Sequence, residues 1–236
     1  MRPKIVLFGD SITEESFSDG GWGANLAHQF SRTVDVVLRG YSGYNSRWAL
    51  RIADEALGTA DNNPPLAVTV FFGANDASLS DRSSAFQHVP VPEYVHNLKA
   101  ICSSIKKRWP KTVVILITPP PIDEDGRVKN PYGEDTSGLP ERTNESAGAY
   151  AKACISVAKE SGLPVIDIWS KMQQISGWEK NLLRDGLHLT ASGNRFLFEE
   201  VVETLRKESL SLETLPTDQP LFSEIDPVDP LNAFKN

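Results

Sequence analysis

The feature that most constrains this chain is an apolar run that stops abruptly in a polar turn. Ile5, Val6, Leu7 and Phe8 run straight into Gly9, Asp10 and Ser11, the pattern of a buried strand opening into a loop. The pattern repeats. Val34 to Leu38 stops at Arg39 and Gly40 and continues as GYSGYNS, and Leu66 to Phe72 stops at Gly73, Ala74, Asn75 and Asp76. Val113 to Ile117 stops before three consecutive prolines, and Pro164 to Ile168 is a shorter fifth run.

Between these runs the apolar spacing changes to that of a helix. It does so from Trp22, over Arg47 to Leu57 before a turn at Asp61 to Pro65, over Tyr94 to Trp109, over Glu141 to Ser161 and over Ala191 to Lys207. Strands alternating with helices predict an α/β fold, a five-stranded parallel sheet with helices on both faces. Right-handed crossovers then bring successive strand ends to one edge, where ligands bind in such sheets. Ser11, Gly43 and Asn75 meet there although they are far apart in sequence.

A chain of 236 residues fits one large domain over 1–208. Beyond it lies a proline-rich acidic tail, 209–236, that is mobile or lies extended on the domain. With 40% hydrophobic and 23% charged residues the composition is ordinary, and a net charge of -7 disfavours nucleic acid or an anionic membrane as partner. The apolar runs are too short to span a membrane. Strand 1 begins at once, leaving no room for a secretory signal, so a cytoplasmic setting is expected, and the Asn144-Glu145-Ser146 sequon is read as chance. Cys102 and Cys154 lie in helical segments and are expected as buried reduced thiols. The four histidines show no metal-ligand spacing, so neither a metal nor another cofactor is expected. Homo-oligomerisation is left open.

A serine at a strand end is a candidate nucleophile or a helix cap. As a nucleophile it needs a base, itself oriented by a third group. His28, His88 and His96 have plain structural readings. His188 differs, because Asp185 stands three residues before it in a loop entering a helix, which places a carboxylate and an imidazole on one turn. A tetrahedral oxyanion also needs donors, each worth about 3–4 kcal/mol when removed. The Ser11 amide, the Gly43 amide and the Asn75 side chain supply three. Trp22, Trp48, Phe86 and a flap over 119–139 are candidates to line an acyl pocket, although core packing is the commoner fate of the two tryptophans.

Together, GDSIT with Ser11, SGYNS with Gly43, GANDA with Asn75, and DGLH with Asp185 and His188 resemble the four blocks of the SGNH, or GDSL-type, hydrolases. The resemblance covers Ile5 to about Leu205, with Ile12 replacing the leucine of the naming motif. It implies a three-layer flavodoxin-like fold, ester hydrolysis through an acyl-enzyme, Ser11 as nucleophile, His188 as base, Asp185 as its orienter, and no metal or organic cofactor. The stretch RGYSGYNSRWAL also resembles the cytosolic isoamyl-acetate-hydrolysing esterase branch, including plant members, which implies a small ester as substrate. The alternatives are a lipase, lysophospholipase or thioesterase for longer chains, and a non-catalytic acyl-binding module. A GxSxG framework fails at Thr13, and an aspartyl-phosphate phosphatase fails at Ile12, where a second carboxylate is needed.

Overall fold

The computed structural model describes residues 2–58, 63–133 and 137–235. Strands β1 (Lys4–Gly9), β2 (Asp35–Gly40), β3 (Ala67–Phe71), β4 (Val113–Ile117) and β5 (Val165–Ile166) form one five-stranded sheet in the order β2-β1-β3-β4-β5. Every pairing is parallel. This is the flavodoxin-like order, whose topological switch point lies between β1 and β3. Both faces are buried along β1, β3 and β4, which is why these strands read as continuous apolar runs, while the edge strand β2 is partly exposed.

Successive side chains of β1 point to opposite faces. Ile5 and Leu7 enter one core with Trp22 and Leu26 of α2 (Trp22–Gln29) and with Leu197, Val201 and Leu205 of the long helix Ala191–Lys207. Val6 and Phe8 enter a second core with Ala49 and Ala53 of α3 (Ser46–Leu57), Leu98 and Ile101 of α4 (Val91–Arg108), and Val157 of α6 (Asn144–Ser161). A short helix α1 (Ser11–Glu14) is wedged against the end of β2. A Cβ on Gly40 would sit 2.0 Å from the Glu14 amide nitrogen, and one on Gly9 would sit 2.1 Å from Thr13 Oγ1. Only glycine permits this approach, and it fixes where Ser11 leaves the sheet.

Several boundaries differ from expectation, among them the second strand, which runs to Gly40 rather than stopping at Leu38. Helix α4 begins at Val91 rather than Tyr94, because a proline in a first helical turn costs no hydrogen bond. Helix α6 begins at Asn144 rather than Glu141, capped by the Thr143 side chain, which accepts from the Ser146 amide; Glu141 and Arg142 therefore precede it. The fifth strand is two residues long. The turn at Asp61 to Pro65 lies partly outside the described residues, as do 134–136 of the flap. Within the 119–139 segment, residues 119–123 are buried and α5 (Glu124–Lys129) follows.

The tail returns to the body of the fold. Asp218 pairs with Arg2 and Arg32, and its amide donates to the Arg32 carbonyl. Leu210 and Leu215 pack on the first core, so the chain here lies on the domain. Cys102 and Cys154 are free and buried, each thiol pushed up to about 12 by burial. Among the described residues no group of His, Cys, Asp or Glu is arranged to hold a metal, and no helix is long and apolar enough to cross a membrane. The Asn144 carboxamide donates to Gln173 Oε1 and accepts from the Trp169 indole, so the sequon's acceptor side chain is engaged in packing.

Candidate active site

Asp10 follows β1 and caps α1, its side chain accepting from the Ile12 amide at 3.0 Å. Ser11 is thereby held at the first helical position, where its own amide has no intrahelical acceptor. Its hydroxyl lies 2.9 Å from His188 Nε2. His188 Nδ1 lies 2.7 Å from Asp185 Oδ2. A carboxylate only accepts, so Nδ1 carries the proton and Nε2 presents its lone pair to Ser11.

The loop behind His188 is closed like a small hairpin. Leu183 and Leu189 form an antiparallel bridge, and the Arg184 amide donates to the His188 carbonyl. Asp185 Oδ1 accepts from the amides of Leu187 and His188 at 3.0 and 2.8 Å. The two oxygens thus divide the work, one folding the turn and the other holding the imidazole. Burial acts to raise the Asp185 pKa, but the His188 ring and these amides together outweigh it and hold the carboxylate well below its usual range.

Gly43 is reached from the end of β2. The Tyr44 amide donates to the Tyr41 carbonyl, closing a four-residue turn with Gly43 at its third position and φ +78°. That sign of φ calls for glycine. The turn's hydrogen bond leaves the Gly43 amide, in the central peptide, outside it. Asn75 follows β3 and is buried; its Nδ2 donates to the Tyr44 carbonyl at 2.9 Å, leaving its second N–H for another acceptor. Three strand ends therefore supply the Ser11 amide, the Gly43 amide and the Asn75 carboxamide to one edge of the sheet.

The other sequence candidates separate cleanly. Trp22 is fully buried, its indole donating to the Ile12 carbonyl, so it supports α1 from the core and lines no pocket. Trp48 belongs to a run of ring contacts, Tyr41–Tyr44–Trp48–Phe86–Tyr132, with centroids 5.4 to 6.3 Å apart. Phe86 and Tyr132 are exposed, so this run forms an aromatic rim beside the Gly43 turn. Tyr132 belongs to the 119–139 segment. His88 Nδ1 lies 2.7 Å from the Ser78 carbonyl, a structural contact. The sequence reading missed a set of buried charges, Arg127, Glu141 and Arg142, because single charged residues in a polar segment look like solvated surface.

Two further carboxyls lie under the site. Asp10 and Asp76 are fully buried, and burial raises each from the ordinary 3.8 to about 7, against the opposing effect of their amide and hydroxyl donors. Asp76 accepts from the Ser46 amide and hydroxyl. Between pH 4 and 7 the folded state keeps protons that the unfolded chain has released, so this contribution to stability is full below the unfolded pKa and is lost as pH rises through 7. Relative to Asp76→Asn, the wild-type protein should therefore lose stability between pH 4.5 and 7.5. Urea midpoints at those two pH values check this, and a wild-type midpoint that rises relative to that of the variant would contradict it.

Comparison with known proteins points in one direction. Residues 5–201 match the model of the GDSL-like lipase/acylhydrolase family. A GDSL esterase/lipase of Arabidopsis thaliana is 59% identical over 99% of this chain and 98% of its own length. An isoamyl acetate-hydrolyzing esterase 1 homolog of Rattus norvegicus is 43% identical over 95% of this chain and 90% of its own. Among solved structures, a lipase/acylhydrolase from Enterococcus faecalis superposes with a TM-score of 0.68 at 30% identity, covering 93% of this chain and 100% of that one.

Proposed function

The chain belongs to the GDSL-like lipase/acylhydrolase family and is a carboxylic ester hydrolase, and from that premise we propose that it cleaves small esters through an acyl-enzyme formed on Ser11. The observation that carries this reading is the continuous line Ser11 Oγ–His188 Nε2–His188 Nδ1–Asp185 Oδ2, at 2.9 and 2.7 Å.

Ser11 Oγ attacks the ester carbonyl carbon while His188 Nε2 takes its proton. The carbonyl oxygen becomes an oxyanion facing the Ser11 and Gly43 amides and the free N–H of Asn75. Collapse of the tetrahedral intermediate breaks the bond to the alkoxy oxygen, which leaves with the proton from His188. Water, deprotonated by the same nitrogen, then releases the acid and restores Ser11. Asp185 keeps the imidazole in the tautomer that can accept, and it stabilises the cation formed at each attack.

Short acyl groups, acetyl above all, are the proposed substrates. The mammalian relatives carry the name of an isoamyl acetate-hydrolyzing esterase. The aromatic rim of Trp48, Phe86 and Tyr132 offers an apolar face for the alcohol side of a small ester. The second reading, a lipase for long chains, rests on the other half of the family name. A series of p-nitrophenyl esters separates the two: kcat/KM should peak at acetyl to butyryl and fall by octanoyl. Rates that keep rising past octanoyl would favour the lipase.

A further inference from the structure

A buried chain of alternating charges joins the two halves of this site. Arg127 Nη1 lies 3.3 Å from Asp185 Oδ2 and donates to the Asp185 carbonyl at 3.0 Å. Its Nε donates to Glu141 Oε1 at 2.8 Å, and the same oxygen accepts from Arg142 Nη1 at 2.7 Å. Arg142 Nη2 then donates to Asn75 Oδ1 at 3.0 Å and to Gln87 Oε1 at 2.8 Å, while its Nε donates to the Ala74 carbonyl. The Arg127, Glu141 and Arg142 side chains are each 6% exposed or less.

The chemistry of the donors makes this arrangement directional. A guanidinium only donates, so the Asn75 oxygen must face Arg142. The Tyr44 carbonyl only accepts, so the Asn75 NH₂ must face the opposite way, toward Tyr44 and the oxyanion position. Gln87 is set in the same manner. Its oxygen faces Arg142, and its Nε2 donates to the Gly43 carbonyl at 2.9 Å, which pins the glycine that supplies the second donor. Removing three charged groups from water is costly, and apolar side chains would pack here at lower cost. Both ends of the chain nevertheless fall on residues of the site.

We infer that Arg127, Glu141 and Arg142 are positioning residues that couple the orientation of Asp185 to that of the oxyanion donors, so that the base and the oxyanion hole are held in register as one unit. The inference rests on the reading of Ser11, His188 and Asp185 given above, and Ser11→Ala in the same assay tests that reading separately.

The test is a double-substitution cycle in the full-length enzyme with p-nitrophenyl acetate. Asn75→Ala should lower kcat by about 100-fold, the loss typical of one oxyanion donor. Arg142→Lys keeps the charge but cannot reach all its partners, and should lower kcat by about 10-fold with KM changed less than about 3-fold. If Arg142 acts through Asn75, the double variant should lose about 200-fold rather than the product of about 1,000-fold. Affinity for a trifluoromethyl ketone, which presents a tetrahedral oxyanion, should fall in parallel with kcat. A merely structural Arg142 gives multiplicative losses, or losses borne by KM, and either result overturns the inference. Should Arg142→Lys not fold, Gln87→Leu, which removes a neutral member, decides instead: a several-fold loss in kcat at constant KM supports the chain, and unchanged kcat overturns it. Turnover retained by Ser11→Ala would overturn the triad itself. An inactive Ser11→Ala beside multiplicative Arg142 and Asn75 losses would leave the triad standing and remove only the coupling.

Discussion

Ser11→Ala should give a folded protein whose ester turnover is lower by about 10⁵-fold or more, the usual cost of removing the nucleophile from an interdependent triad. Ser11 is almost completely buried, and its hydroxyl hydrogen-bonds His188 Nε2. Alanine fits the first turn of α1, and the Asp10 cap that holds this turn is formed with Ile12 and survives the change. Thermal stability should therefore change little, while the atom that forms the acyl bond is gone. The oxyanion donors remain, since the residue 11 amide is unaffected, and a residual rate of about 10³-fold over water is expected from them and from binding. Steady-state kcat with p-nitrophenyl acetate, measured beside a thermal midpoint, checks both halves. Wild-type turnover in the variant would remove Ser11 from the mechanism.

Ser11 could be found from sequence because its position follows from local rules. An apolar run ending in Gly-Asp-Ser marks the exit of a buried strand, and the switch point of a parallel sheet brings that exit together with the loops after β2 and β3. His188 and Asp185 were legible for a related reason, since three residues in one loop suffice to join a carboxylate to an imidazole. Gly43 carried its own signal in the φ that its turn requires. Arg127, Glu141 and Arg142 carried none. Apart from the neighbours Glu141 and Arg142, which pair with each other, the contacts cross the fold, 14 residues from Arg127 to Glu141 and 67 from Arg142 to Asn75, and nothing periodic marks a charge whose partner is that distant. One clue was available in part: Thr143 with Ser146 reads as a helix cap, which would have started α6 after Glu141 and Arg142 and left those two charges to be explained. Prolines at 90 and 92 misled in the other direction, because a residue excluded from helix interiors is well placed in a first turn.

Asp185→Asn should cost about 10⁴-fold in kcat while keeping the fold, through the tautomer of His188 rather than through lost packing. The amides of Leu187 and His188 both donate to Asp185 Oδ1, so an asparagine must place its carbonyl oxygen there to preserve the turn. Its NH₂ then replaces Oδ2 and faces His188 Nδ1. Two donors cannot share that contact, and the imidazole must release its Nδ1 proton and carry one on Nε2 instead. Nε2 then points a hydrogen at Ser11 and cannot take the serine proton. Arg127 Nη1, 3.3 Å from the same oxygen, would also meet a donor in place of a carboxylate, so some loss of stability should accompany the loss of rate. The discriminating measurement is phosphonylation of Ser11 by a fluorophosphonate, which needs the base but not the leaving alcohol of an ester. Asp185→Asn should slow this reaction about as much as it slows ester turnover. Fast phosphonylation with slow turnover would mean that Asp185 serves the leaving-group step alone, and the line from Asp185 through His188 to Ser11 would not be the base arm that the geometry describes.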